Sequence, residues 1–240
     1  MLVALHGFTE NDEVWREVLG LPRERLACPL LPGHGFKPCP PGIGVATLAD
    51  EIATGPCSGG CDLMGYSMGG RIALHLALDR PRQVRRLILV SSGPGFRDDA
   101  LQGSRRHSEE MMAEILEQDG LGPFVAWWEA NPILKPAKPL PRAVEEQVRS
   151  RRLNHDPLGL AGALRRLGAG AMPNLWDRLG SVRAPTLLIA GAADQRYCQV
   201  MADMAKVMPD ARLAVVPDAG HAIHREQATA VRDLALAFVS

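Results

Sequence analysis

A serine framed by glycines constrains this chain more than any other feature. Gly65-Tyr66-Ser67-Met68-Gly69-Gly70 follows the apolar run Asp62-Leu63-Met64 and precedes the helix-period segment Arg71-Ile72-Ala73-Leu74-His75-Leu76-Ala77. A strand that runs straight into a helix must turn sharply at the serine, and the glycines on either side give that turn room. The turn holds the serine hydroxyl above the sheet in a strained backbone conformation. Gly70 allows the helix to pack close to its neighbours.

The rest of the chain supplies the sheet such a turn needs. Short apolar runs at Leu2 to Leu5, Arg25 to Cys28, Asp62 to Met64, Leu87 to Ser91, Thr186 to Ala190 and Leu213 to Val216 read as strands. Apolar stripes at helical spacing lie between or after them, over Glu13 to Leu19, Thr47 to Ala53, Met68 to Leu78, Gln199 to Met208 and Thr229 to Phe238. The alternation predicts a mostly parallel sheet with helices on both faces, in an α/β fold of one domain over residues 1–240. From about residue 95 to 176 the rhythm breaks into helical spacing without a convincing strand. Pro132, Pro136, Pro139, Pro141 and Pro157 punctuate that stretch, so it predicts an insertion of several short helices. Set over the carboxyl ends of a parallel sheet, it could act as a lid.

Composition removes other classes. Twenty-seven Lys plus Arg balance twenty-seven Asp plus Glu, so the basic footprint of a nucleic-acid binder is missing. No apolar run approaches a membrane span and the first residues carry no basic leader; no membrane association is expected and the cytoplasm is the expected compartment. Five cysteines, an odd number, fit reduced thiols there, with Cys57 and Cys61 flanking a turn into a strand. The Cys57 and Cys61 spacing is one seen in some metal sites, but no second pair or adjacent His follows, so no metal is expected.

A serine hydroxyl becomes a useful nucleophile or base when an imidazole takes its proton and a carboxylate orients that imidazole. Asp194 follows the strand Thr186 to Ala190 and the turn Gly191-Ala192-Ala193; His221 follows Leu213 to Val216 and the turn Pro217-Asp218-Ala219-Gly220. The chain order Ser67, Asp194, His221 is the order such a relay takes on an α/β sheet. Asp218 and Asp210 read as turn residues, and His6, His34 and His75 as structural. His224 is the one rival base, and Gly220 favours His221. Leu5-His6-Gly7-Phe8 ends the first strand, where the Phe8 N–H can join that of Met68 as an oxyanion hole.

Together, Leu5-His6-Gly7-Phe8, Pro32-Gly33-His34-Gly35, the serine turn and Gly220-His221 resemble the α/β-hydrolase superfamily from end to end. The usual core of that superfamily has two further strands before the His-Gly-Phe loop, so trimmed N-terminal strands are implied. Within the superfamily, Gly65 to Leu74 is similar to the elbow of the 2-succinyl-6-hydroxy-2,4-cyclohexadiene-1-carboxylate synthases, lyases of menaquinone synthesis. The insertion agrees through Phe124-Val125-Ala126-Trp127-Trp128-Glu129 with Asn131-Pro132, through Arg151-Arg152-Leu153-Asn154 with Pro157 and Gly159-Leu160-Ala161, and through Leu164 to Gly170 with Pro173 and Leu175-Trp176.

The resemblance implies a cofactor-free reaction in which the serine, activated by histidine, abstracts a proton and triggers loss of pyruvate without adding water. The implied partner is a small anionic substrate with several carboxylates. Arg71 lies one helical turn after Ser67, and a guanidinium there calls for an anion unless it swings to solvent or pairs with a lid carboxylate. By position Arg71 and Arg151 match the family's substrate-binding arginines, Trp128 its pocket aromatic, and Arg105 a further arginine. A solvated helix face accounts equally well for Arg105 and Arg151, and a lid core for Trp128. Asp194-Gln195-Arg196-Tyr197 departs from the Lys-Phe pair usual after the acid. The same triad also fits a serine carboxylesterase or C–C hydrolase working through an acyl-enzyme, and a ligand-binding module is the reading without chemistry.

Overall fold

Six parallel strands form one sheet in the order β2-β1-β3-β4-β5-β6, in a computed structural model that describes residues 1–240. The strands are β1 (Leu2–Leu5), β2 (Leu26–Ala27), β3 (Cys61–Tyr66), β4 (Val84–Val90), β5 (Thr186–Gly191) and β6 (Ala211–Val216). Alternate side chains feed opposite faces, as the pleat requires. Val3, Leu5, Leu63, Leu89 and Leu188 enter one core with α2 (Val45–Thr54), α3 (Met68–Asp79) and α8 (Gln195–Val207). Leu2, Ala4, Met64, Ile88 and Ile189 enter the other with α1 (Glu13–Leu19), α9 (Ile223–Glu226) and α10 (Ala228–Val239). Burial on both faces is why these strands read as apolar runs.

Between β4 and β5 the chain is helical: α4 (Asp99–Gln118), α5 (Leu121–Glu129), α6 (Arg142–Arg152) and α7 (Pro157–Leu167). Asp98 caps α4 by accepting from the Leu101 N–H at 2.9 Å, and Asp156 caps α7 just before Pro157. The prolines at 132, 136, 139 and 141 all fall between α5 and α6, so α4 runs unbroken for 20 residues. These helices share a small core of their own, with Met112, Leu116, Phe124, Trp128, Leu160 and Leu164 in it. Phe8 joins that core to the sheet, its ring edge-on to Trp128 at 5.4 Å.

Two expectations are corrected. The thiols are not all reduced: Cys57 and Cys61, with Cα atoms 5.1 Å apart across the Ser58-Gly59-Gly60 turn, form a disulfide, while Cys28, Cys39 and Cys198 are free. The turn folds the chain back through Gly60 at φ +78°, which sets the two side chains within bridging reach. Helix α8 starts at Gln195, four residues ahead of its apolar stripe, because Asp194 accepts from the Tyr197 N–H at 3.2 Å and so caps it. No helix is long and apolar enough to cross a membrane.

Candidate active site

Ser67 sits at the junction of β3 and α3 with φ +49°, a left-handed conformation that a serine adopts only under constraint. The constraint is visible. Its N–H donates to Val90 O at 2.9 Å, and its own carbonyl accepts from the Ser92 hydroxyl at 2.9 Å and the Arg71 N–H at 3.1 Å. A Cβ at Gly69 would lie 2.5 Å from the carbonyl oxygens of Leu5 and His6, so only glycine lets α3 cross the end of β1 this closely.

Asp194 and His221 arrive on the loops after β5 and β6. Those loops are tied together by the Ala192 N–H to Val216 O and the Ala193 N–H to Ala219 O, both at 2.9 Å. His221 Nδ1 donates to Asp194 Oδ2 at 2.7 Å, which leaves Nε2 to accept from the Ser67 hydroxyl at 3.2 Å. The Asp194 and His221 side chains are only 5% and 6% exposed, so the pair works in a medium where orientation and charge count for more than in water. Tyr197 and Tyr66 flank the imidazole, with ring centroids 4.8 and 5.4 Å away. Asp218 is turned outward to Lys138 at 2.6 Å, and the Asp210 carbonyl serves the Thr186 N–H at 2.8 Å.

His224, the rival base, is buried and committed elsewhere: its Nε2 meets Glu10 Oε1 at 2.7 Å. Glu10 also accepts from Arg225 at 2.6 Å and from the Gly7 N–H at 3.1 Å. Burial opposes its charge, but His224 and Arg225 outweigh that and hold the carboxyl well below the usual carboxylate range. This buried acid, which sequence reasoning missed, joins the loop after β1 to the loop that carries His221. His6 secures the same loop, with Nδ1 donating to Gly7 O at 2.8 Å and Nε2 accepting from the Leu31 N–H at 3.0 Å. The Phe8 N–H finds no acceptor in the chain, and Met68 leads α3 with an N–H that no helical carbonyl reaches. Both residues line the cavity onto which Ser67 and His221 open.

Arg71, Arg105 and Trp128 line that cavity too, and Arg151 does not. Arg71 is buried without a carboxylate partner; its Nε donates to Met172 Sδ at 3.2 Å, and burial pushes its pKa down. Arg105 donates to Glu109 Oε1 at 2.7 Å, and Glu109 in turn accepts from the N–H groups of Ala169 and Gly170, each at 2.9 Å. Arg151 instead turns toward α1, where it pairs with Glu17 and lies 3.9 Å from Glu13. The reason is helical phase: one residue further, about 100° around α6, Arg152 points inward to Glu129 at 3.1 Å. The cavity wall also holds Arg196, Tyr197, Glu109, Phe96 and Asn131. The signal for Arg196 and Tyr197 was their place right after Asp194, which becomes the first turn of α8 once that helix is capped by the acid.

A parallel sheet with a serine at a strained strand-to-helix turn, and an acid and a histidine on later loops, defines an enzyme class. The chain matches the alpha/beta hydrolase family over residues 2–234 and belongs to it. Its similarity is more specific than that. A Bacillus subtilis protein provisionally named 2-succinyl-6-hydroxy-2,4-cyclohexadiene-1-carboxylate synthase is 33% identical over 94% of this chain and 85% of its own length. The structure of MenH from S. aureus superposes with a TM-score of 0.91 at 33% identity, over 99% of this chain and 92% of that one. An esterase from Thermogutta terrifontis shares the fold, at a TM-score of 0.79 and 24% identity, over 99% of this chain and 88% of that one.

Proposed function

We propose that this chain is a 2-succinyl-6-hydroxy-2,4-cyclohexadiene-1-carboxylate synthase, a lyase that eliminates pyruvate without a cofactor. The observation that carries the reading is Arg71: a buried guanidinium with no carboxylate of its own, one turn from Ser67 and facing the same cavity. Charge held there without a counter-ion is stabilised by an anion that arrives with the substrate. Arg105 and Arg196 bring further positive charge to the wall, which suits a substrate with several carboxylates.

In this mechanism Ser67 Oγ takes a proton from an acidic C–H of the substrate as its own proton passes to His221 Nε2. Asp194 stabilises the imidazolium that forms. The carbon's electron pair becomes an enolate, whose oxygen the N–H groups of Phe8 and Met68 receive. Collapse of the enolate breaks the bond to the pyruvate-forming group, and His221 returns the proton to the departing fragment. No water is consumed. The helical segment of about 95–176 acts as the lid that keeps water out during this step. We place the enzyme in the cytoplasm, since a small polyanion does not cross a bilayer unaided.

The test is pyruvate release from the pathway intermediate, followed by reduction to lactate with NADH. Wild type releases pyruvate in step with product, and Ser67→Ala loses at least about 10³-fold in kcat. Rapid turnover of p-nitrophenyl esters with no pyruvate would establish the acyl-enzyme hydrolase instead.

A further inference from the structure

Tyr197 is placed where a single residue meets the acid, the imidazole and the cavity wall of the candidate site. Its backbone N–H donates to Asp194 Oδ1 at 3.2 Å, its ring lies 4.8 Å from the His221 ring at an interplanar angle of 48°, and it lines the cavity beside Arg71. Arg71 and Tyr197 line the same cavity, and Tyr197 favours the guanidinium's charge against the burial that pushes its pKa down. A guanidinium has only donors, so a hydroxyl that faces it can only accept from it and turns its own hydrogen elsewhere. No group of the chain pairs with the Tyr197 hydroxyl. The direction left to it is the cavity.

We infer that Tyr197 is a specificity-determining residue: with Arg71 it forms a two-point cradle for one substrate carboxylate, the guanidinium meeting one oxygen and the phenol O–H the other. The ring and the N–H give the same residue a positioning role, holding His221 and Asp194 in register with that carboxylate. Substrate binding and the proton relay are therefore set by one residue on the first turn of α8. A ligand without a carboxylate at this point leaves both donors unanswered, which is how such a site rejects neutral analogues.

The inference rests on the proposed function for its substrate, and the test keeps the two apart. Tyr197→Phe retains the ring and the N–H and removes only the hydroxyl. KM for the pyruvate-releasing substrate rises by about ten-fold, well beyond any fall in kcat. Tyr197→Leu, which also strips the ring from His221, lowers kcat as well. Independently of turnover, succinate protects Ser67 of the wild type from labelling by an uncharged fluorophosphonate, and Tyr197→Phe weakens that protection by a similar factor. If wild type releases no pyruvate but the protection still depends on the hydroxyl, the proposed reaction falls and the cradle stands. An unchanged KM and unchanged succinate protection in Tyr197→Phe would overturn the cradle. So would a fall confined to kcat, which would make the hydroxyl part of the relay alone.

Discussion

The floor of the cavity and its helical roof hold their charges in opposite ways. On the floor, Asp194, Glu10, His224 and Arg71 are buried, and the sheet and its loops fix them through backbone hydrogen bonds and glycine-only contacts. In the roof, Glu109 and Arg152 are the buried exceptions, and the other charges, Arg142 with Glu146, Arg149 with Glu129, and Arg165 with Glu110 and Glu117, pair mostly at the surface over a core of nine buried residues. Exposed pairs of this kind are each worth roughly 0–1 kcal/mol, so they set little and yield readily. A buried group on a rigid support keeps its geometry through a reaction cycle. The proposed proton relay suits such a support, and the proposed lid suits the other.

The largest test of this contrast compares the two cavity arginines. Arg71→Met, on the floor, removes a desolvated guanidinium and raises KM by about 10²-fold, the scale of a charge-assisted bond lost from a buried site. Arg105→Met, in the roof, raises it several-fold at most, because Arg105 is already answered by Glu109 and a third exposed. Steady-state kinetics on both variants decide it. Equal effects would mean that the roof is as preorganised as the floor.

How much of this was legible in the sequence follows the same divide. The floor could be read because its parts obey short-range rules. Strand cores show as apolar runs, Gly65 and Gly69 bracket Ser67, and Gly191 and Gly220 mark the loops carrying Asp194 and His221. Roof residues obey long-range ones. Whether Arg151 or Arg152 points inward depends on the phase of α6, which the pairing of Arg149 and Arg152 with Glu129 of α5 marks and its own stripe of charge does not. Glu10 was invisible for a related reason: an acid after a strand reads as a loop residue until His224 and Arg225, over two hundred positions away, close around it. The Cys57–Cys61 bridge depended on the path of a tight turn, which composition does not encode.

A seam of neutral histidines joins floor to roof. His155, between α6 and α7, accepts from the Gly35 N–H at 2.6 Å and packs edge-on to His34 at 5.8 Å; His34 packs edge-on to His6 at 4.7 Å. Burial pushes all three pKa values down, that of His155 to about 4. Below the ordinary value of 6.5 the unfolded chain therefore binds protons that the folded chain refuses. Stability is full above that value and falls as pH drops toward 4, by up to ~1.4 kcal/mol per pH unit for each such histidine. Thermal melts should show Tm falling between pH 7.5 and 5, and His155→Asn, which still offers an acceptor to Gly35, should flatten that fall. Identical melting at both pH values would mean that the seam already takes up protons in the folded state.

The smallest expected effect is at Arg151, and it bears directly on the contrast because sequence resemblance put this residue in the pocket. Its guanidinium pairs with Glu17 and faces Glu13 across the outer groove between α6 and α1. Arg151→Ala removes a contact between roof and floor whose carboxylates, Glu13 and Glu17, stand largely in water, so KM and kcat should each stay within about two-fold and the loss of stability within about 1 kcal/mol. Kinetics and a melt on one variant suffice. A KM raised ten-fold or more would require α6 to rotate by about 100° when substrate enters, bringing Arg151 inward where Arg152 now stands. The roof would then change which of its charges meets the ligand, and its surface pairs would be the latch of that rotation.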